Sequence, residues 1–386
     1  MKVAILTGGY PSPDNPSKSI FNLRAAKGLQ NYAEITVYHY RFWKPGRPML
    51  QRYVYEGVNT VAVSLPFLPM GGSLGTAFFD RLWMKFSEFL LKKELKTYDV
   101  FHSIGLGAAP IAAHLSKKCK KKHVAQAIGS DLLVYLPKKE KYFGLKNWTK
   151  NTQMVVCNSR SLKEVLLKNY PHLKAEVAYR GTDLSKFQAQ GKPRNPSPIH
   201  LLFLGGFANR KGSGMGSNLK GGETLKEVIE ILDKKDKLQV VFNIGGPESA
   251  SDNIKEWRQQ LKHPERVQIL GVLKPQEIPT QMQKADGVLL PSLSEGLPNV
   301  GMEAIASACL LIASKVGGVP EVIEHQGSGL ILEPGNTEEW KNTLEKVILN
   351  FENYHPLILK AVQTAHEKFN AENYPKHLMD IYKKLQ

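Results

Sequence analysis

Pro291–Ala306, PSLSEGLPNVGMEAIA, follows directly on the apolar run Gly287–Leu290, GVLL, and the order of these two segments decides how the chain folds. A strand ends at Leu290, a turn carries Glu295 and Gly296, and Pro298 or Asn299 opens a helix. Proline is favoured at a first helical position and asparagine as a cap. Free N–H groups near Leu297–Val300 at such a helix start form an anion site, aided by the helix dipole and suited to a diphosphate. Glu303 falls about one turn into the helix, eight residues after Glu295. One carboxylate therefore stands at the helix mouth and a second just behind it. A carboxylate accepts hydrogen bonds from two neighbouring hydroxyls, the pair that a ribose offers. Two glutamates on a solvated helix would mean little; the frame of strand, glycine turn and helix gives them meaning.

The same alternation runs outward in both directions. Toward the N-terminus, Val3–Leu6, Ile35–Tyr38, Val100–His102, Val124–Ala127 and Met154–Cys157 are short apolar runs bounded by polar residues or turns. Between them Ile20–Leu29, Phe78–Leu95, Ala108–Lys117 and Ser161–Lys168 read as helices. Nearer the motif lie strands Leu201–Leu204, Gln239–Asn243, Val267–Leu270 and Leu310–Ala313, and helices Thr224–Leu232, Ile254–Leu261 and Asn299–Ala306. Buried strands alternating with helices predict an α/β fold with parallel sheets covered on both faces. QAQGKPRNPSP (Gln188–Pro198) has the composition of a linker. The expected organisation is thus residues 1–187 as a first domain, 188–198 as linker and 199–365 as a second domain. Residues 366–386 form a helix returning to the first domain. Two doubly wound halves predict ligand chemistry in a cleft at the carboxyl ends of both sheets.

Composition bounds the classes. With 386 residues, 42% of them hydrophobic and 23% charged, the chain supports two ordinary cores and excludes disorder, collagen and disulfide scaffolds. The opening MKVAILTGGYPS has no basic n-region, long apolar stretch or cleavage site, and no uncharged run approaches the roughly 20 residues of a spanning helix. Cys119, Cys157 and Cys309 are far apart and read as reduced thiols, so a cytoplasmic placement is expected. The net charge of +17 is unevenly spread: residues 1–190 hold 29 basic and 12 acidic side chains, and the remainder 23 of each. A field of one sign on one half attracts polyanions such as nucleic acid, anionic headgroups or acidic glycans. The aromatic, basic segment Phe78–Lys93 suits either burial against a sheet or contact with the cytoplasmic membrane face, and both stay open.

The segment SEGLPNVGMEAIA resembles the E-x7-E segment of retaining GT-B glycosyltransferases of family 4, the glycosyl transferases group 1. The resemblance continues in GGVPEVI (Gly317–Ile323), GLILEPGN (Gly329–Asn336), NSRSLKEVL (Asn158–Leu166) and RGTDLSKF (Arg180–Phe187). It implies two Rossmann-like domains, 1–187 binding the acceptor and 199–365 the nucleotide sugar, and a UDP-linked donor with no further cofactor. Glu303 then holds the donor ribose. Glu295 contacts the transferred sugar, with the backbone of Gly296, Leu297, Pro298, Asn299 and Val300 at sugar and phosphate. The family also neutralises the diphosphate with an Arg and a Lys after the first strand of the second domain. Here Gly206 stands at the Arg position, beside Gly205. Lys211 fits one spacing, but Lys220-Gly221 directly precedes the helix as the family's Lys-Gly does. A Gly/Ser-rich insertion (Gly212–Asn218) reconciles the two, so Lys220 is favoured, with Arg210 as a substitute cation. At the first helix of the chain, Asn15–Phe21 stands in place of the family's Gly-Gly, and backbone N–H groups around Lys18 and Ser19 are left to serve there, Ser19 toward the donor and Lys18 toward the acceptor. In Ala127–Asp131, Ile128 replaces a histidine, leaving Asp131 as a contact for acceptor or sugar or, with equal weight, a turn or helix cap. His102, at a strand end, reads as a packed structural histidine.

The expected activity is metal-independent, retaining transfer of a hexosyl or N-acetylhexosaminyl unit to a glycan or lipid-linked acceptor in cell-surface polysaccharide synthesis. No Asp-x-Asp occurs, and no His/Cys cluster has metal-ligand spacing. The rivals are a nucleotide-sugar epimerase, a phosphorylase, and a nucleic-acid-binding or scaffold protein using the basic half. No zinc-finger spacing or aromatic RNA-binding motif supports specific nucleic-acid recognition.

Overall fold

The apolar runs become the strands of two sheets in the computed structural model. It describes residues 1–12, 19–65, 73–129, 131–135, 148–188, 197–207 and 219–385, with backbone alone at 73–80 and 134–135. The chain divides into two units, Met1–Arg180 with Glu372–Gln386, and Gly181–Ala371. The division falls ahead of the expected linker at 188–198, most of which lies outside the described residues. The reason is local: Thr182 N donates to Phe369 O (2.8 Å) and Ala371 N to Thr182 O (3.0 Å), binding Gly181 and Thr182 to the second unit.

The first unit contains β1 (Lys2–Thr7), α1 (Ile20–Gln30), β2 (Glu34–Phe42), β3 (Leu50–Tyr55), β4 (Val58–Leu65) and α2 (Ser73–Leu95). It continues through β5 (Val100–Ile104), α3 (Ala109–Cys119), β6 (Lys122–Ala127), β7 (Met154–Cys157), α4 (Arg160–Asn169) and β8 (Ala175–Val177). Sheet order is β3-β4-β2-β1-β5-β6-β7-β8. Helices on both faces demand strands that are apolar on both faces, and Val3–Leu6 and Val100–Ile104 are buried throughout. The sheet is not wholly parallel: β3 runs antiparallel to β4. Their turn is Glu56-Gly57, both at positive φ (50° and 81°), the backbone a two-residue hairpin needs.

The second unit contains β9 (Ile199–Phe203), α5 (Gly222–Asp233), β10 (Val240–Gly245), α6 (Asp252–Gln259), β11 (Val267–Gly271) and α7 (Ile278–Lys284). There follow β12 (Gly287–Leu290), α8 (Asn299–Ala306), β13 (Leu310–Ser314), α9 (Val319–Val322), β14 (Leu330–Leu332), α10 (Thr337–Leu349) and α11 (His355–Lys368). Strand order is β11-β10-β9-β12-β13-β14, and every pairing is parallel. The chain winds one way from β9 and the other way from β12. The carboxyl ends of these two neighbours therefore form a switch point that no crossing connection covers. A core of Leu201, Phe203, Phe242, Ile244, Leu310 and Trp340 supports it.

The last helix, α12 (Asn373–Lys383), belongs to the first unit and buries Tyr374, Leu378 and Tyr382. His102 Nδ1 meets Tyr382 Oη at 2.5 Å, a buried contact. On β6, His123 sits between the hydroxyls of Ser103 and Thr152, each at 2.9 Å. Desolvation holds both imidazoles far below the usual histidine range, at about 3; nearby Arg180 adds to the effect at His102, and His102 to that at His123. Both rings are neutral in the fold and protonate readily in the unfolded chain. The stability they lend is therefore intact above about pH 6.5 and drains away as pH falls toward 3. Each imidazole contributes up to roughly 1.4 kcal/mol per pH unit across that window. Urea midpoints at pH 7 and pH 5 should differ markedly for the wild type and less for His102→Gln; equal slopes would remove His102 from the account.

Candidate active site at the switch point of the second sheet

β12 begins against β9 with Gly287 opposite Leu201, ends at Leu290, and the chain turns through Ser292–Pro298 before α8 begins. Pro298 supplies the N-cap, with extended backbone (φ −75°, ψ 112°). The amides of Gly301 and Met302 both donate to Pro298 O (3.1 and 3.2 Å). Among the described residues, the amides of Leu297, Asn299 and Val300 find no acceptor, and the first turn of α8 holds no acidic side chain. The positive end of this helix is therefore uncompensated, the condition for binding an anion. Glu303 is 7% exposed, one turn inside the helix.

Glu295 projects from the preceding loop. Its Oε1 lies 2.6 Å from Lys220 Nζ and accepts a hydrogen bond from Ser292 Oγ at 2.8 Å. The carboxylate is 9% exposed and the lysine 40%, so the anion is largely withdrawn from water while its cation reaches solvent. The two residues come from the two strands that flank the switch point: Lys220 precedes α5, the helix after β9, and Glu295 follows β12. Leu293 N donates to Leu219 O at 2.9 Å and fixes the two loops to one another. Gly205, at the end of β9, allows the approach, since a Cβ there would stand 2.8 Å from Lys220 Cβ.

The absence of an arginine at 206 has a backbone cause. Gly206 has φ 66°, and a Cβ would meet Pro247 O at 2.2 Å, while the next amide, Phe207 N, donates to that same oxygen at 2.9 Å. No side chain fits there. The loop is held from the other side by Gly317-Gly318: Gly318 N donates to Gly296 O at 2.7 Å, and Gly317 (φ 49°) rides so close that a Cβ would fall 1.7 Å from Glu295 O. This clasp and the Ser292 hydroxyl are contributions the sequence reading missed. The glycine pair opening GGVPEVI was their only trace.

Other expected residues fall elsewhere. Ser19 caps α1 in a left-handed conformation (φ 52°) without a side-chain cap bond, beside the end of β1, where a Cβ on Gly9 would meet its hydroxyl at 2.5 Å. Lys18, Arg210 and Lys211 lie outside the described residues. Asp131, open between a ligand contact and a cap, is 7% exposed, and its carboxylate accepts from the amides of Leu106 (3.0 Å), Ile128 (3.1 Å), Gly129 (2.9 Å) and Leu132 (3.0 Å). These bonds tie the loop after β6 to the loop after β5, the arrangement of a structural cap.

A sequence model of the family described as Glycosyl transferases group 1 matches residues 213–363. The "Uncharacterized glycosyltransferase MJ1607" of Methanocaldococcus jannaschii is 24% identical over 407 residues, covering 99% of this chain and 98% of that protein. A D-inositol 3-phosphate glycosyltransferase of Corynebacterium diphtheriae is 31% identical over 214 residues, covering 51% of this chain and 48% of that protein. Among solved structures, Anabaena HepE in complex with UDP superposes with a TM-score of 0.73 at 16% identity, covering 100% of both chains. The architecture is therefore GT-B, two Rossmann-like α/β domains with parallel sheets. The match to the group 1 model falls within the second unit, and that match together with the fold supports a glycosyltransferase.

Gly317→Ala tests the clasp. Alanine is strained at this φ and collides with backbone, so a loss of more than about 1 kcal/mol is expected in urea unfolding. An unchanged midpoint would mean the loop does not depend on this contact.

Proposed function

We propose that the chain moves a hexosyl or N-acetylhexosaminyl unit from a UDP-sugar to a hydroxyl of a glycan or lipid-linked acceptor in cell-surface polysaccharide synthesis. The transfer retains anomeric configuration and uses no metal. The observation that carries this reading is the Lys220–Glu295 ion pair, set at the switch point beside the free amides of Leu297, Asn299 and Val300. A departing nucleoside diphosphate develops negative charge, and an ammonium with a helix N-terminus stabilises it without any ion. Lys220 takes the diphosphate, Glu295 orients the sugar and Glu303 holds the ribose.

Retaining hydrolases use a carboxylate nucleophile at the scissile bond. Glu295 is engaged by Lys220 and Ser292, which lowers its nucleophilicity, so the reading favours front-face transfer. The bond from the anomeric carbon to the diphosphate oxygen breaks and the bond to the acceptor oxygen forms on the same face. The acceptor proton passes to the departing diphosphate. UDP is favoured because HepE was solved in complex with UDP. The basic first half suits an acidic glycan or an acceptor on an anionic lipid.

A thermal-shift series over UDP, GDP, ADP and dTDP should single out UDP, with about 2.7 kcal/mol of stabilisation at 100 times its Kd. Glu303→Ala should abolish most of that shift. Lys220→Ala should lower turnover by roughly 10²–10³, and EDTA should leave turnover unchanged. Intact UDP binding in Glu303→Ala together with undiminished turnover in Lys220→Ala would sink the site assignment. An epimer formed from donor alone, or dependence on free phosphate, would replace transfer by the epimerase or phosphorylase reading. Turnover confined to inositol phosphate would refute the glycan acceptor.

A further inference from the structure

The first unit carries an exposed aromatic side chain inside a field of lysines. Phe89 on α2 is 85% exposed, the most exposed of the large hydrophobic side chains among the described residues. Helical spacing sets Lys85, Phe89, Lys93 and Lys96 on one face, with Lys92 at its border. Lys85, Lys93 and Lys96 are exposed, and none has a carboxylate partner among the described residues. With Glu88 and Phe89, these lysines line a shallow depression.

The acidic residue of this surface is already neutralised. Glu88 meets Lys92 (3.2 Å), His114 (2.8 Å) and Lys118 (3.7 Å), the last two from α3. These contacts lay the two helices side by side, and Cys119 Sγ touches Lys92 O. The run Lys117-Lys118-Cys119-Lys120-Lys121-Lys122 at the end of α3 therefore continues the basic field beyond the stripe. The opposite side of α2 is spoken for: Leu91 and Leu95 are buried, and Trp83, Met84, Phe86 and Leu90 pack on the same cluster. Phe89 is thus surplus to the core.

We infer that this face docks on the headgroup layer of an anionic bilayer. Phe89 enters the interface, and Lys85, Lys92, Lys93 and Lys96 spread around it toward lipid phosphates. Charge complementarity carries the choice of partner. The chain's whole +17 excess lies in its first half, and a phenyl ring at the centre of a cationic face gains by leaving water at headgroup depth. A polyanion such as DNA gains from the lysines alone. The residues involved belong to neither the β12–α8 loop nor the Lys220 loop, so this surface stands or falls apart from the donor site.

The test is co-sedimentation of the full chain with vesicles of phosphatidylcholine, with and without about one-third phosphatidylglycerol. Binding to the anionic vesicles only, weakened by salt, is expected. Phe89→Ser and, separately, the double change Lys85→Glu with Lys93→Glu should each weaken it by roughly tenfold or more. All these positions are solvent-facing, and an unaltered melting temperature and UDP shift would show the variants folded. Absence of binding to anionic vesicles, equal binding to neutral ones, or binding indifferent to Phe89→Ser overturns the inference. Displacement from vesicles by duplex DNA at equal phosphate concentration also overturns it, in favour of a nucleic-acid surface.

Discussion

Everything at the site depends on two parallel strands, β9 and β12, that lie side by side and send the chain away in opposite directions. That topology leaves their carboxyl ends uncovered, and backbone there must be satisfied by loop, ligand or water. The chain spends this opportunity on short-range ties. Leu219 O and Leu293 N join the two loops, Lys220 and Glu295 pair across them, and Gly318 N secures Gly296 O from the next strand over. The loop after β12 is consequently held from both sides, which keeps the free amides of α8 aimed in one direction. Preorganisation of this kind is what makes a fixed dipole useful for stabilising a developing charge.

Much of this was legible in the sequence because strands buried on both faces write unbroken apolar runs. Met154–Cys157, Gly287–Leu290 and the helix Asn299–Ala306 were readable to the residue. The hairpin β3–β4 was not, since β3 shows no clean alternation of buried and exposed residues at its edge position. Its signal was the turn Glu56-Gly57, a weaker cue than Asn-Gly or Asp-Gly. The three-residue strands β8 and β14 write no pattern at all. At the site, local features survived translation and long-range ones did not. Lys220 and Glu295 could be named separately, but their pairing depends on β9 and β12 being neighbours. Gly317 meets Glu295 only because β13 lies beside β12.

Two residues singled out in the sequence have different physical surroundings. Asp131 was open between a ligand role and a cap, and four backbone donors reach its oxygens, as in a cap. Gly206 is imposed by its own backbone: positive φ and the closeness of Pro247 exclude any side chain. The positive charge at the same opening comes from Lys220 and the N-terminal amides of α8.

The pairing of Lys220 with Glu295 joins a largely buried carboxylate to an ammonium whose side chain stays 40% exposed. Removing the lysine would strand a carboxylate that is 9% exposed with Ser292 as its remaining partner, a costly state for a withdrawn anion. The glutamate therefore holds the lysine in place across the two loops. Positioning and charge neutralisation are in this way built from one contact, and the exposure of the lysine against the burial of its partner sets the direction in which the charge is offered.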